Sequence, residues 1–309
     1  MKVDNLILDG RHMLYRTSDA FRSLTTIVDE REIGCGGMYG FLTVALRVHK
    51  RYGGKVWVAW EGKRADNFRV ELYPPYKQKV EPTEEQLDFI TDMVEQELRL
   101  KAMLRAIGVR QYEGVRCEAD DVMTWVAHRQ NKANESVLIY TGDSDLRQLV
   151  RGPEGKGVVV VAPGRRADDV LYDNAWKVKE KHGVYPKMLP DLKALAGDSS
   201  DNIPGVKGIG PKTAVQLIEE YTDVKSVILA AAGKDGGRWP VAERFRQPII
   251  DARRNILLFK RLTTLAPDVE VKEIPRRRSQ KTLVKHFMMY KFRSLLTASE
   301  LMDLMEMGK

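Results

Sequence analysis

Acidic residues in this chain form three short clusters whose spacing suits divalent metal ions. The clusters are Glu118-Ala119-Asp120-Asp121, Asp143-Ser144-Asp145, and Asp198 with Asp201. Carboxylate oxygens are hard donors that suit Mg²⁺, and the same acids crowded together without a cation would have raised pKa values and would cost stability. Because Mg²⁺ keeps several waters and takes few direct carboxylates, a set of this size fits two ions better than one. Two ions about 3.5–4 Å apart serve phosphoryl transfer in many enzymes.

Two of these clusters also have a simpler structural interpretation. Acids in the first turn of a helix are stabilised by the helix dipole by about 0.3–1 kcal/mol each, and an apolar helical pattern follows Glu118. Three acids within four residues exceed what such capping needs. Glu118 and Asp121 lie three residues apart and share a helix face, so we expect a cation to offset their repulsion. A lone Asp-x-Asp is common in turns, but the apolar pattern after Asp145 predicts a helix there and favours a pair of metal ligands.

A glycine-rich segment follows the third cluster. It reads Gly205-Val206-Lys207-Gly208-Ile209-Gly210 and continues into Pro211-Lys212-Thr213. The glycine order and the lack of a preceding strand pattern argue against a Rossmann fingerprint, and Pro211 interrupts the match to a Walker A loop. The pattern favours a helix-hairpin-helix, in which glycines let the backbone approach a phosphate and the next helix directs amide N–H groups at it. These contacts carry no base specificity. The alternative is a tight turn between helices, which one glycine would satisfy.

The composition is that of a globular protein with a polyanionic partner. The chain has 309 residues, 43% of them hydrophobic, and a formal net charge of +8, which favours binding to nucleic acid. The two cysteines, Cys35 and Cys117, lack zinc-type spacing. The sequence also lacks a signal-peptide pattern and an apolar run of about 18 residues. We therefore expect a soluble, cytoplasmic protein that does not associate with a membrane. We also expect it to act as a monomer.

The first half of the chain alternates strand and helix patterns. Short apolar runs predict four buried strands: Leu6–Leu8, Val56–Trp60, Ser136–Tyr140 and Gly157–Ala162. Strands separated by helices imply crossover connections and a largely parallel sheet, which makes the fold α/β. Asp9, Glu61 and Asp143 follow the first three strands. Because ligands of such sheets bind at the carboxyl ends of the strands, we expect these acids to converge on one crevice.

A basic segment without periodicity, residues 62–82, precedes a long predicted helix. It is either a linker or a clamp over a substrate. Thr83 and Gln86 have capping-box spacing, so the helix begins at Thr83, and Gly108 ends it. Apolar residues at helical spacing predict its buried face: Leu87, Ile90, Val94, Leu98 and Met103. After about residue 170 the pattern is mostly helical, with four main segments: Lys187–Ala196, Lys212–Tyr221, Val241–Leu262 and Lys281–Leu296.

Together these features resemble the 5′-nuclease family, which comprises phage 5′→3′ exonucleases, flap endonucleases and the N-terminal nuclease domain of bacterial DNA polymerase I. The resemblance runs from Leu8-Asp9-Gly10 to Phe292-Arg293-Ser294-Leu295-Leu296, nearly the whole chain. It rests on three motifs: Glu118–Asp121, Thr141–Asp145 and Gly197–Ala214. The length of the sequence indicates a stand-alone, phage-type member.

The resemblance implies a fold and a division into domains. Residues 1–170 would form a PIN-like α/β nuclease core, with a mostly parallel central sheet flanked by helices and a helical arch at about residues 62–107. Residues 171–309 would form a helical DNA-binding region, with the helix-hairpin-helix at about residues 190–221.

The resemblance also implies roles for the acids. Positions at or near the first metal ion are matched by Asp9, Glu118, Asp120 and Asp121. Positions around the second ion are matched by Asp143, Asp145, Asp198 and Asp201. Where the family usually has an aspartate after the second strand, this chain has Glu61, whose longer side chain would reach an ion through water.

The resemblance implies two catalytic positions, Lys77 and Arg16, and a set of DNA-binding positions in the hairpin. Lys77, in the pair Tyr76-Lys77, resembles the family lysine that contacts the scissile phosphate at the base of the arch, and Arg16 matches a basic position near the active site. The hairpin resembles the family's duplex-binding element, which often holds K⁺ through backbone carbonyls. Its matching residues are Gly205, Lys207, Gly208, Gly210, Lys212 and Thr213.

The leading hypothesis is a structure-specific 5′ nuclease, both 5′→3′ exonuclease and flap endonuclease, that hydrolyses DNA phosphodiesters with two Mg²⁺ ions, or with Mn²⁺. Its partner would be branched, nicked or 5′-ended duplex DNA, with the 5′ strand passing under or through the arch. One alternative is an RNase H-type nuclease that acts on RNA–DNA hybrids. The sequence does not separate this activity from a DNA nuclease, because no pattern in it indicates recognition of a 2′-OH. Another is a non-catalytic protein that binds branched DNA.

Overall fold

The structure is a computed structural model that describes residues 1–63, 66–78, 81–152, 157–164, 169–234 and 239–309. These ranges contain nine strands and thirteen α-helices. The strands are β1 Asn5–Asp9, β2 Thr25–Val28, β3 Arg31–Gly34, β4 Lys55–Trp60, β5 Arg110–Gly114, β6 Val137–Tyr140, β7 Val158–Ala162, β8 Val170–Tyr172 and β9 Val271–Ile274. The helices are α1 Gly10–Ala20, α2 Gly36–Tyr52, α3 Phe68–Leu72, α4 Glu84–Ile107, α5 Ala119–Lys132, α6 Ala175–His182, α7 Leu189–Ala196, α8 Pro211–Tyr221, α9 Val224–Ala231, α10 Arg246–Asp251, α11 Arg253–Thr263, α12 Gln280–Met289 and α13 Ala298–Glu306.

Seven strands form one central sheet in the order β8-β7-β6-β1-β4-β5-β9. The five inner strands are parallel, and the two edge strands, β8 and β9, run antiparallel to their neighbours. Strands β2 and β3 form a separate antiparallel hairpin. The predicted α/β class, with a mostly parallel sheet flanked by helices, is confirmed.

The core lies on both faces of this sheet. Successive residues of a strand point to opposite faces, and β1 shows it: Ile7 is buried in one apolar layer, whereas Leu6 and Leu8 are buried in the other. Two tryptophans of β4 satisfy their indole N–H groups inside the core. Trp57 donates to Asn5 Oδ1 at 3.0 Å, and Trp60 donates to Gln111 Oε1 at 3.1 Å.

Helix α4 begins and ends where the sequence predicts. Thr83 and Gln86 form the capping box, and Gly108 caps the C-terminus with a φ of +98° that only glycine adopts readily. The predicted buried face is wrong over the first half of the helix: Leu87, Ile90, Val94 and Leu98 are exposed, and only Met103 of the five is buried.

The stripe of α4 that is buried contains two polar residues, Gln96 and Glu97. Gln96 accepts a hydrogen bond from the Met38 N–H, and Glu97 forms ion pairs with Arg11 and Lys101. Burial of polar groups is tolerated where partners satisfy them. A search for apolar spacing alone therefore selects the wrong face of this helix.

The sequence also misses several elements at the sheet edges and in the second half. Strands β5, β8 and β9 are absent from the prediction, and Val241–Leu262 divides into α10 and α11 after a short 3₁₀ turn. The helix predicted after Asp145 is a 3₁₀ segment, Asp145–Leu149. Gly233–Gly237, predicted as a connector, lies partly outside the described residues. Within the described part of the chain, every helix is too short or too polar to cross a bilayer.

Candidate metal centre

Three acids lie at or just after the carboxyl ends of the neighbouring strands β6, β1 and β4, as the sequence predicts. Asp9 is the last residue of β1, Glu61 follows β4 directly, and Asp143 follows β6. Thr141 joins two of them, because its hydroxyl donates to Asp9 Oδ2 at 2.8 Å and accepts from the Asp143 N–H at 3.1 Å. Asp9 also caps α1 by accepting from the His12 N–H at 3.2 Å. The sheet therefore fixes the positions of these acids.

Asp120, in the first turn of α5, joins this group. Burial, followed by repulsion from Asp143 and Asp9, raises the pKa of Asp120 well above its ordinary value. Burial is also the main cause that raises the pKa of Asp9. Raised pKa values in crowded carboxylates indicate that the described side chains only partly neutralise their negative charge. A bound cation would neutralise the remainder.

A second group of acids lies between β6 and the glycine hairpin. Asp145, Asp198 and Asp201 each place a carboxylate oxygen within 4.8 Å of the other two. Burial, with the neighbouring Asp198 and Asp145 adding repulsion, raises the pKa of Asp201 to about 6 although Lys77 opposes the shift. The donors are all carboxylate oxygens, which suit Mg²⁺, Ca²⁺ or Mn²⁺ and do not suit a soft metal.

Lys193, on α7, inserts its ammonium into this second group. Its Nζ contacts Asp145 Oδ1 and lies 2.6 Å from Asp198 Oδ2. Burial alone would raise the pKa of Asp198, but hydrogen bonds from Lys193 and Ser200 outweigh it and hold the pKa below its ordinary value. The sequence does not point to Lys193, because a lysine on an amphipathic helix gives no signal of its own.

Tyr76 and Lys77 connect the two groups of acids. The Tyr76 hydroxyl lies 3.0 Å from Glu118 Oε2 and 3.3 Å from Asp201 Oδ2. Lys77 Nζ lies 2.8 Å from Glu118 Oε1 and 3.7 Å from Asp201 Oδ1. Burial alone would lower the pKa of Lys77, but the charge of Glu118 outweighs it and raises the pKa. Lys77 is thus held as an ammonium between the acids.

Asp121 differs from the expectation. Both of its carboxylate oxygens accept hydrogen bonds from the guanidinium of Arg69, and Oδ1 also accepts from the Ala266 N–H at 3.0 Å. Arg69 Nη1 lies 3.5 Å from Glu118 Oε2 as well. The repulsion between Glu118 and Asp121 is therefore offset by an arginine of the chain, whereas the sequence predicts a metal ion in that role.

Glu61 is also paired with an arginine. Arg11 contacts Glu61 Oε1 and lies 2.9 Å from Glu97 Oε2. Lys101 continues the series, since its Nζ lies 2.8 Å from both Glu97 and Glu113. A row of side chains with alternating charge thus runs from the end of β4 across α4 to β5. In this row the partner of the Glu61 carboxylate is the Arg11 guanidinium.

A cleft of about 370 Å³ opens over part of the site. Its described lining residues are Glu61, Gly62, Lys63, Asn67, Val70, Tyr76, Lys77, Cys117, Glu118, Asp143, Ser200 and Asp201. Members of both acid groups therefore face the same space. Arg16 is absent from this lining, and its exposed side chain donates to the Pro163 carbonyl at 3.4 Å.

The glycine hairpin begins at Gly205, four residues after Asp201. Asp198 and Ile203 exchange backbone hydrogen bonds of 2.7 and 2.8 Å, and the Val206 N–H donates to the Leu195 carbonyl at 2.8 Å, so acids and hairpin share one ordered segment. Val206 and Ile209 are buried and anchor the hairpin.

The outer side of the hairpin is exposed. Lys207, Gly208, Gly210 and Lys212 are exposed, whereas Thr213 is half-buried. A Cβ placed on Gly205 would come within 2.4 Å of the Gly197 nitrogen, so the inner glycine is required for packing. A Cβ on Gly210 would meet nothing within 4 Å, and Gly210 caps α8, with Pro211 in its first turn. The exposed end of α8 is suited to approach a phosphate.

Comparison with known protein families identifies the class of protein. Residues 4–183 match the family described as 5′-3′ exonuclease, N-terminal resolvase-like domain. Residues 184–283 match the one described as 5′-3′ exonuclease, C-terminal SAM fold. The chain therefore belongs to the 5′-3′ exonuclease family, and the resemblance to the 5′ nucleases is confirmed.

Curated relatives support this membership. The chain is 37% identical over 222 residues to the thermostable DNA polymerase I of Thermus thermophilus, an alignment that covers 72% of this chain and 24% of that protein. It is 30% identical over 272 residues to DNA polymerase I of Bacillus caldotenax, covering 88% of this chain and 29% of that protein. The chain thus spans about a quarter of the length of these relatives.

Solved structures share the fold. The T5 D15 protein, co-crystallised with metal ions, has a TM-score of 0.65 at 20% identity over 99% of this chain and 100% of that chain. A complex of the bacteriophage T5 D15 flap endonuclease with DNA and metal ions has a TM-score of 0.66 at 18% identity, with 99% of each chain covered. Flap endonuclease-1 from Methanococcus jannaschii has a TM-score of 0.56 at 13% identity, with 99% of this chain and 93% of that chain covered.

Proposed function

We propose that this chain is a structure-specific 5′ nuclease, both 5′→3′ exonuclease and flap endonuclease, that hydrolyses DNA phosphodiesters with divalent metal ions. One observation carries the proposal: Glu118, Asp143 and Asp201, from three separate parts of the chain, face one cleft next to an exposed glycine hairpin. Carboxylates suit the metal ions of phosphoryl chemistry, and a glycine turn before a helix suits a phosphate backbone. Membership of the 5′-3′ exonuclease family supports the same reaction.

We assign the acids to two metal positions. Asp9, Glu118 and Asp120 would hold the first ion, and Asp145, Asp198 and Asp201 would hold the second. Asp143, which the resemblance assigns to the second ion, is reassigned to the first because Thr141 joins it to Asp9. Asp121 is left out of the first set because Arg69 pairs with its carboxylate. Mg²⁺ is the proposed ion, with Mn²⁺ as an alternative, because the donors are carboxylates. When bound, the ions supply Lewis-acid activation of water and offset charge on the phosphoryl oxygens.

Other residues of this chain would place the substrate. Lys77, held near Glu118 and Asp201, would turn its ammonium toward the scissile phosphate once metal ions compete for those carboxylates. Lys207 and Lys212 with the N–H groups at the start of α8 would hold the duplex backbone, and the hairpin carbonyls would hold K⁺. We propose that the 5′ strand passes the segment from Gly62 to the first half of α4. Arg16 would contact the DNA backbone at the edge of the site.

The decisive experiment uses 5′-labelled flap, nicked and blunt duplexes, incubated with Mg²⁺ or with a chelator. We expect Mg²⁺-dependent cleavage whose product lengths report the balance between exonuclease and endonuclease activity. Asp143→Asn and Asp201→Asn should lower the rate at least about 10³-fold and largely spare DNA binding, because each removes a charge that holds an ion. Asp303→Asn, which changes a partly exposed acid paired with Lys50 on α2, is the matched control.

Two further arms separate the alternatives. Duplexes whose 5′ strand is RNA test an RNase H-type activity on RNA–DNA hybrids. Separately, if Asp143→Asn cleaves DNA at the wild-type rate, the assignment of Asp143 as a metal ligand is rejected. A protein that binds the flap duplex tightly but never cleaves it, with any divalent ion, would be a non-catalytic binder. Gel filtration with light scattering tests the proposed monomer.

A further inference from the structure

Lys193 supplies a positive charge inside the second acid group. Its side chain is only 20% exposed, and its Nζ bridges Asp145 and Asp198. The oxygens of these two carboxylates and of Asp201 all lie within 4.8 Å of one another. An ion held by Asp145 and Asp198 together would therefore compete with this ammonium for the same oxygens.

We propose that Lys193 is a resident cation that a divalent ion must displace from Asp145 and Asp198, so that the second metal position binds its ion weakly until DNA is present. The inference rests on the proposed function, because it takes these acids as metal ligands. It makes Lys193 a positioning residue that acts through the acids.

The geometry allows the displacement. The Lys193 carbonyl accepts from the Gly197 N–H at 2.8 Å at the end of α7, so the backbone is fixed and only the flexible four-carbon side chain has to move. An ammonium left beside a divalent ion would be strongly repelled in this partly desolvated site. A phosphodiester oxygen would give the displaced ammonium a new charged partner, which couples the second ion to the substrate.

The first acid group is arranged differently. Asp9 receives hydrogen bonds from two neutral donors, the Thr141 hydroxyl and the His12 N–H. An ion that binds to Asp9 would not have to break an ion pair of Asp9. Of the ligands proposed for the first ion, it is Glu118 that has a lysine partner, Lys77 at 2.8 Å, and Lys193 contacts the second group. The DNA-free protein should therefore show two classes of ion binding, and only the weaker class should depend on Lys193.

The test measures Mn²⁺ binding to the DNA-free full chain, by calorimetry and by the electron paramagnetic resonance signal of unbound Mn²⁺. Lys193→Met removes the charge but keeps a side chain of similar length, and it should tighten the weaker class at least tenfold. Lys193→Arg keeps the charge and should stay within about twofold of the wild type. Lys179→Met, which breaks a partly exposed ion pair with Glu219, is the control for loss of a lysine.

The outcomes are distinct. Equal Mn²⁺ affinities in folded Lys193→Met and wild type would overturn the role of Lys193, and Mg²⁺-dependent cleavage would then still support the proposed function. If Lys193→Met does not fold, the wild type is tested with a flap duplex that carries phosphorothioate linkages. Addition of this duplex should raise the Mn²⁺ affinity of the weaker class at least tenfold. An unchanged Mn²⁺ affinity would overturn the inference. A wild-type chain that binds no Mn²⁺ would contradict the proposed function as well.

Discussion

Arg69 and Asp121 form a buried ion pair next to the candidate metal centre, in which two N–H groups of the guanidinium meet both carboxylate oxygens. The side chains are 2% and 0% exposed. Arg69 also donates to the carbonyls of Leu262, at 2.8 Å, and Thr264, at 3.2 Å, and so joins α3 to the end of α11. The pair is part of the structure that supports Glu118.

Removal of either partner should therefore destabilise the protein. Arg69→Met or Asp121→Asn leaves the other group without its main partner in the interior, and we expect a loss of about 3–5 kcal/mol in the free energy of unfolding. Asp120→Asn, one residue away, is the matched control and should weaken metal binding with little loss of stability. Denaturant unfolding with metal titration checks both. A stable Asp121→Asn that binds less metal would instead make Asp121 a ligand.

Glu61 should contribute little to metal affinity. Its carboxylate is held by Arg11, about a third of the side chain is exposed, and such pairs contribute about 0–1 kcal/mol to stability. We expect Glu61→Gln to change Mn²⁺ affinity by less than about threefold, whereas Asp143→Asn should lower it far more. Calorimetric titration of both variants gives the comparison. Equal losses in the two variants would restore Glu61 to the set of metal ligands.

Divalent ions should stabilise the folded chain. An ion present at 100 times its dissociation constant adds about 2.7 kcal/mol if it binds only the folded state. For a chain of this size that corresponds to a rise of several degrees in Tm. Thermal unfolding with Mg²⁺ or Ca²⁺, and again after addition of a chelator, measures the shift. The double variant Asp143→Asn/Asp201→Asn should lose most of the shift, and a wild-type Tm that no ion changes would argue against a formed metal centre.

His182 should make stability depend on pH below neutrality. Its Nε2 lies 2.7 Å from Arg147 Nη1, and burial, followed by the charges of Arg147, Lys181 and Lys193, lowers the pKa of His182 from 6.5 to about 4. The unfolded chain binds this proton more readily than the folded chain. The contribution of neutral His182 to the free energy of unfolding is therefore fully present above pH 6.5. It is lost as the pH falls from 6.5 to about 4.

At pH 5 we expect a loss of about 1 kcal/mol relative to pH 7.5 from His182, after allowance for its partial exposure. His182→Gln keeps a side chain that can accept from Arg147 but does not titrate. Its stability should fall less steeply over this range in denaturant unfolding at several pH values. Identical slopes in the variant and the wild type would refute the assignment.

The inner strands and the acid clusters could be predicted because each rests on a local signal. Val137–Tyr140 is a short apolar run, and Asp143 follows it within a few residues. Strand β5 could not be found this way, because Arg110–Gly114 is mostly polar and lacks an apolar run. The partners of its polar residues, such as Lys101 for Glu113, lie elsewhere in the chain. Strand β9 pairs with β5 from more than 150 residues away, a contact that no local pattern encodes.

The side chains that pair with the acidic residues could not be predicted from the sequence either. Glu118 and Asp121 share a helix face as predicted. Arg69, however, reaches them from the basic segment 62–82, whose sequence predicts a linker or a clamp over a substrate. Lys193 and Thr141 likewise act through tertiary contacts with Asp145 and Asp9. Spacing identifies which carboxylates are close together. Whether a metal ion or a side chain of the protein neutralises each one depends on packing.

The backbone bridge between Asp198 and Ile203 has a consequence for where such an enzyme would cut. The bridge joins the second acid group to the hairpin that begins at Gly205, and the contact of Val206 with Leu195 ties both to α7. Under the proposed function, the hairpin that binds the duplex and the acid group that positions hydrolysis are held at a fixed distance by one short, rigid segment. Residues added between Asp201 and Gly205 would then move the scissile bond along the DNA, so the chain itself would set the register of its products.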